Sequence, residues 1–129
     1  MAMLRKFQVT IDCADPVRLA HFWAEVLGYV APEAPEGQVD WFACTDPTGE
    51  GPRVLFQRVP EGKVVKNRVH LDVRAGTGLV GEERLAALQA ESDRLVALGA
   101  VQGKVLLADE ENESCINMQD IEGNEFCLD

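Results

Sequence analysis

The segment QVTIDCADPVRLAHFWAEVLGY, residues 8–29, decides the fold. Its first half alternates. Val9, Ile11 and Cys13, with Phe7 just ahead of them, fall on one side of an extended run, and Gln8, Thr10 and Asp12 fall on the other. That period of two is the pattern of a half-buried strand. The period then changes. Asp15 followed by Pro16 supplies a helix start, with Asp at the N-cap and Pro at the first helical position. Leu19, Phe22, Trp23, Val26 and Leu27 recur at helical spacing and make one core-facing stripe, which Gly28 stops.

Working outward, YVAPEA (29–34) is a short edge strand interrupted by Pro32, and VDWFACTD (39–46) and RVLFQRV (53–59) are strands joined by the turn PTGEGP. RVHLDVRA (68–75) is again a strand, with Val69, Leu71 and Val73 toward a helix and His70, Asp72 and Arg74 on the opposite face. EERLAALQAESDRLVALG (82–99) reads as the second helix, with Leu85, Leu88, Leu95 and Val96 inward. VQGKVLLAD, CINMQD and EFCLD add three strands, with IEGN as the last turn. The order strand, helix, three strands therefore occurs twice, an internal repeat. By position Gln8 matches His70 and Asp12 matches Arg74. VLGY at 26–29 matches ALGA at 97–100, and DPTG at 46–49 matches DIEG at 120–123. The predicted class is α+β, one domain over residues 1–129 built of two βαβββ modules, module one over 5–60 and module two over 67–129.

Twelve Lys and Arg against 22 Asp and Glu give a formal charge of −10. Such a chain repels nucleic acid and anionic membranes, whose phosphates require clustered cations. No apolar run approaches the roughly 20 residues of a membrane span. MAMLRKFQVT has neither an apolar leader nor a cleavage pattern, so a cytoplasmic location is expected. The four cysteines, Cys13, Cys44, Cys115 and Cys127, contain no C-x-x-C pair, which argues against a zinc knuckle and for reduced thiols.

QVTIDCADPVRLAHFWAEVLGY, then RVHLDVRA, then MQDIEGNEFCLD, resemble in sequence and order the vicinal oxygen chelate superfamily, which includes glyoxalase I, bleomycin-resistance proteins and extradiol dioxygenases; the small glyoxalase-like domains are the nearest in look. The resemblance implies two βαβββ modules that form a curved, incompletely closed sheet around a shared cavity. It also implies, in metal-using members, one ligand on the first and one on the last strand of each module. Carried onto this chain, those positions are Gln8, Gln57 as the polar candidate on RVLFQRV, His70, and Cys127, seven residues on from Asp120. Two amides, an imidazole and a thiol lack the carboxylates that a hard divalent ion takes. The expectation is therefore no metal cofactor, with a divalent ion at Gln8 and His70 as the alternative.

The remaining candidates follow from the polar strand faces. His70, Asp12 and Asp72 are the candidate acid–base residues, because two nearby carboxylates push one pKa upward. Pairing of Arg74 with either would instead keep both ionised. Gln8, Thr10, Arg74, Trp41, Gln57 and Cys127 are the candidate ligand-binding residues. Trp41 and Phe42 are consecutive on a strand, so one points inward, and an aromatic facing a cavity can stack on a planar ligand. Two functions are expected from the resemblance: a lyase or isomerase that holds a small organic molecule between the modules, or a non-catalytic drug-binding protein of the bleomycin-resistance type. A homodimer is expected in either case.

Overall fold

The computed structural model describes residues 2–37 and 39–129. The chain divides into two compact units at the Gly62–Lys63 junction.

In the first unit, β1 (Val9–Cys13) leads into α1 (Pro16–Leu27), followed by β2 (Trp41–Cys44) and β3 (Val54–Arg58). The Asp15 side chain accepts the Arg18 amide, and Gly28, at φ 70°, closes the helix in the left-handed region that glycine tolerates best. The sheet order is β1-β3-β2, with β1 parallel and β2 antiparallel to β3. α1 packs on β2 and β3. It buries Leu19, Phe22, Trp23 and Val26, and Phe42, Cys44, Val54 and Phe56 of the strands are buried as well. Of the consecutive aromatic pair, Phe42 is the one inside at 7% exposure, and Trp41 stands outside at 57%.

The β2–β3 turn is organised by one carboxylate. Asp46 accepts the Thr48 amide and hydroxyl, each at 2.8 Å, and the Gly51 amide at 2.7 Å. These bonds, the Thr48 hydroxyl first, hold the Asp46 carboxyl below the usual aspartate range. A Cβ at Gly51 would lie against the Tyr29 hydroxyl, so a larger residue there requires the tyrosine side chain to move.

The second unit follows the same order with one strand more: β4 (Asp72–Val73), α2 (Gly81–Ala97), β5 (Val101–Leu106), β6 (Cys115–Gln119) and β7 (Glu125–Leu128). The sheet order is β4-β7-β6-β5, with only β4–β7 parallel. α2 packs on β5 and β6. Leu88, Leu95, Ile116, Met118, Phe126 and Leu128 form the core. The architecture is thus α+β, with two helices and two mixed sheets, neither closed into a barrel. No helix among the described residues is long and apolar enough to cross a membrane.

Four local expectations are corrected. YVAPEA makes only one bridge, Val30 to Thr45, rather than a strand, and Pro32 has no amide to extend it. RVHLDVRA pairs only at Asp72–Val73, and Val69, expected to be inward, is 79% exposed. Phe7 precedes the start of β1 and is 70% exposed. Val96 is 44% exposed because the buried stripe of α2 runs through Leu88, Ser92 and Leu95, and the next residue turns about 100° away from it.

Phe56→Ala is expected to lower unfolding free energy by about 3–5 kcal/mol, whereas Phe7→Ala should change it by less than about 0.5 kcal/mol; urea melts of the two variants check this. Asp46→Ala should lower the melting temperature at neutral pH. Because the folded pKa of Asp46 is depressed, its contribution is present above the unfolded-state pKa and disappears as pH falls through the folded one. The difference from wild type should therefore narrow in strong acid.

Candidate functional site

The outward face of the first sheet carries Gln8, Thr10 and Asp12 near or on β1, Leu55 and Gln57 on β3, and Trp41 on β2. Arg53, immediately before β3, connects them. Its Nη1 donates to Gln8 Oε1 at 3.0 Å, Gln8 Nε2 donates to Thr10 Oγ1 at 3.2 Å, and the guanidinium lies 5.7 Å from the Trp41 ring centroid. Cation–π contact and hydrogen bonding together give a side chain with many rotamers a defined place. Arg53 was not among the sequence candidates. The available signal was its alternation with Leu55 and Gln57, which puts all three on one face.

Beside this face lies a groove of about 970 Å³, lined in part by Val30, Pro32, Pro35, Val39, Trp41 and Arg53. A second hollow of about 590 Å³ shares Trp41 and Arg53 and reaches Leu55, Gln57 and Arg58. Arg58 is held in place by donating to Val39 O at 2.6 Å and Ala14 O at 2.9 Å.

The second unit brings together a different set. His70 Nε2 lies 3.2 Å from Asp72 Oδ1. The parallel β4–β7 ladder puts Cys127 directly opposite Asp72. One ligand-type atom from each of His70, Asp72 and Cys127 falls within 4.8 Å of the others. His70 and Asp72 are exposed, and Cys127 is half-buried. Burial, then the negative charges of Asp72, Cys115 and Asp129, push the Cys127 thiol up to about 11. The thiol is therefore protonated at neutral pH and donates to Asn117 Oδ1 at 3.3 Å. Arg74 does not pair with Asp72, one of the two arrangements weighed from the sequence. It contacts both carboxylate oxygens of Asp129, at 2.9 and 2.8 Å, because Asp129 extends β7 beside the end of β4.

The ladders also revise one correspondence. Thr10 faces Leu55 in the first unit, and Asp72 faces Cys127 in the second. With Gln8 matched to His70, Thr10 matches Asp72, so the counterpart of Cys127 is Leu55. Gln57, expected there, is two residues further on and faces Asp12. The core agrees with this register. Phe42 opposite Phe56 and Cys44 opposite Val54 correspond to Ile116 opposite Leu128 and Met118 opposite Phe126. The four positions implied by the resemblance are then Gln8, Leu55, His70 and Cys127. They do not fit a hard divalent ion: Leu55 has no donor, the Gln8 oxygen already accepts from a cation, and Cys127 is a neutral thiol.

The glyoxalase-like domain model matches residues 8–128. The chain belongs to the glyoxalase-like domain family. No curated protein matches it. Among solved structures, this glyoxalase-like chain is similar to a glyoxalase/bleomycin resistance protein/dioxygenase family enzyme from Burkholderia phytofirmans PsJN, at 16% identity and TM-score 0.68, covering 94% of both chains. It is also similar to a variant of the fosfomycin resistance protein FosX from Listeria monocytogenes, complexed with Mn(II) and 1S,2S-dihydroxypropylphosphonic acid. That match has 12% identity and TM-score 0.68, covering 98% of this chain and 90% of the other. A possible glyoxalase from Bacillus cereus matches at 13% identity and TM-score 0.64, covering 98% of both. At these identities the likeness concerns the fold, which is that of the glyoxalase, bleomycin-resistance and dioxygenase superfamily.

Alkylation of Cys127 by iodoacetamide at about pH 8 is expected to be slow, since little thiolate exists three units below its pKa. Asp72→Asn removes a negative charge that raises that pKa and should speed the reaction, though not to the rate of a free thiol, because burial remains. Peptide mapping by mass spectrometry, which follows Cys127 separately from Cys115, reads both rates.

Proposed function

We propose that this glyoxalase-like protein binds a small organic molecule, with a planar apolar part in the first-unit groove against Trp41 and an oxygen-bearing end at Arg53. The observation that carries this is the Trp41–Arg53 pair. An indole 57% exposed on a sheet, with a guanidinium over it, offers a stacking surface beside a fixed donor. The groove volume of about 970 Å³ lies within the usual range for ligand sites. Arg53 donates one N–H to Gln8, and a guanidinium has five in all. The reading includes a homodimer working in the cytoplasm, where the free cysteines would stay reduced.

Trp23 is 2% exposed, so quenching of tryptophan fluorescence by added compounds reports on Trp41. For any compound that quenches, Trp41→Ala and Arg53→Met, followed by calorimetry, should each weaken binding about tenfold or more. Unchanged affinity in both variants would refute the assignment.

A second reading, a lyase or isomerase, is favoured by the His70–Asp72 contact. A carboxylate that accepts from Nε2–H holds the imidazole in the tautomer whose Nδ1 lone pair can take a proton from substrate. Fosfomycin, which the FosX neighbours are named for resisting, is a first compound to try. For any substrate found, His70→Ala should lower kcat/KM by about 100-fold or more.

A further inference from the structure

KVLLAD, residues 104–109, belongs to neither the first-unit groove nor the His70 cluster. It holds the end of β5, which has a sheet neighbour on one side only, since the second sheet runs β4-β7-β6-β5. Alternate residues of such an edge aim N–H and C=O groups away from the sheet, where another strand can take them. Val105, Leu106 and Leu107 along it are 38%, 46% and 68% exposed. We propose that this edge pairs antiparallel with the same edge of a second copy, about a two-fold axis at Leu106. The proposal rests on the homodimer of the functional reading and gives that homodimer a surface.

Two-fold symmetry restricts the register. Residues directly opposite in an antiparallel pair lie on the same face. An axis perpendicular to the sheet must therefore pass through a residue and not between two. Centring on Lys104 would set two ammonium groups opposite each other, which is unfavourable. Centring on Leu106 sets it against the partner's Leu106, and sets Val105 against the partner's Leu107, so all three exposed apolar residues are covered together. Leu107 and Ala108 continue past the end of β5 and precede the turn, where the Asp109 amide donates to Asn112 O at 2.9 Å. Lys104 then lies opposite the partner's Ala108, one diagonal step from the partner's Glu110, within reach of a long side chain.

Charge selects the direction. Between Val101 and Ser114, Lys104 is the one cation, and Asp109, Glu110, Glu111 and Glu113 are the acids. Antiparallel pairing carries each Lys104 to the acidic tip of the partner's hairpin. Parallel pairing would set lysine beside lysine and tip beside tip. The formal charge of −10 on each copy opposes association, but salt at physiological strength screens it beyond about 8 Å. The stretch is also bounded at both ends. The register shift between Gln102 and Val105 bends the edge on one side. On the other, Asp109 turns the chain, its Oδ1 accepting the Glu111 and Asn112 amides at 2.8 Å each. A short stretch that each copy uses against the same stretch of the other closes as a dimer and does not grow into a filament.

Sedimentation equilibrium of the full chain over about 5–500 µM should show a monomer–dimer equilibrium, because a contact well below about 1,200 Å² holds weakly. Leu106→Lys, which puts a charge on the axis, should weaken dimerisation about tenfold or more, and Lys104→Glu should do the same. A charge exchange then tests the register. Chains carrying Lys104→Glu, and chains carrying Glu110→Lys with Glu111→Lys, should each dimerise poorly alone. Their mixture should form a heterodimer at near wild-type strength, since it holds one native contact and one with both signs reversed. Circular dichroism of each variant confirms that it folds, and the charge exchange gives an answer even if Leu106→Lys does not fold. A dimer that survives Leu106→Lys and Lys104→Glu unchanged overturns this edge and leaves the homodimer to another surface. A mixture no more associated than its parts overturns the antiparallel register, and growth beyond a dimer overturns the two-fold closure. A chain that stays monomeric at every concentration overturns both the proposal and the homodimer. Quenching of Trp41 measures the first-unit groove independently.

Discussion

Everything in this molecule depends on the parallel pairing of the first and last strands of each unit. β1 runs alongside β3, and β4 alongside β7, although more than 40 residues separate the partners in the chain. Parallel strands cannot be joined by a tight turn, so a helix must cross over, and the helix covers the apolar face that the pairing creates. The pairing also sets register. Side chains alternate with a period of two, so fixing Thr10 opposite Leu55 and Asp72 opposite Cys127 decides which residues share a face and which are hidden.

The two units share this plan but carry different chemistry on it. The first has an aromatic ring, a guanidinium and a pair of neutral polar groups around an apolar groove, a surface suited to holding a ligand. The second has an imidazole, a carboxylate and a thiol whose ligand-type atoms lie within 4.8 Å of one another. Duplication of a fold leaves each copy free to diverge at its outward positions, because only the inward ones are constrained by packing. Leu55 and Cys127, which correspond in register, show how far that divergence has gone.

Charge partners were the least legible part of the site in the sequence. Asp72 and Arg74 are two apart on one strand, and the sequence offered Arg74 a carboxylate partner in Asp12 or Asp72. Instead Asp72 meets His70, and Arg74 closes on Asp129 at the chain's last residue. Long side chains choose among acceptors by the few ångströms that register supplies, and a sequence carries no such distance. Arg53 escaped notice for the same reason: its role comes from Gln8, 45 residues away, and from the ring of Trp41 on the adjacent strand.

The sequence by itself determined the elements and their order. Hydrophobic period, the Asp15–Pro16 start, the Gly28 stop and the D-x-x-G turns are local signals, each written in a few adjacent residues and read out by backbone sterics and short-range hydrogen bonds. From them came the repeated strand–helix–strands order, expected as βαβββ twice and found as βαββ followed by βαβββ, together with the α+β class and the likeness to the glyoxalase superfamily. Only the tertiary structure decided that Leu55 rather than Gln57 corresponds to Cys127, that Phe7 and Val69 lie outside the core, and that His70, Asp72 and Cys127 meet. Those outcomes depend on strand register between segments far apart in the chain, and a shift of two residues there leaves every local pattern intact while changing which side chains touch.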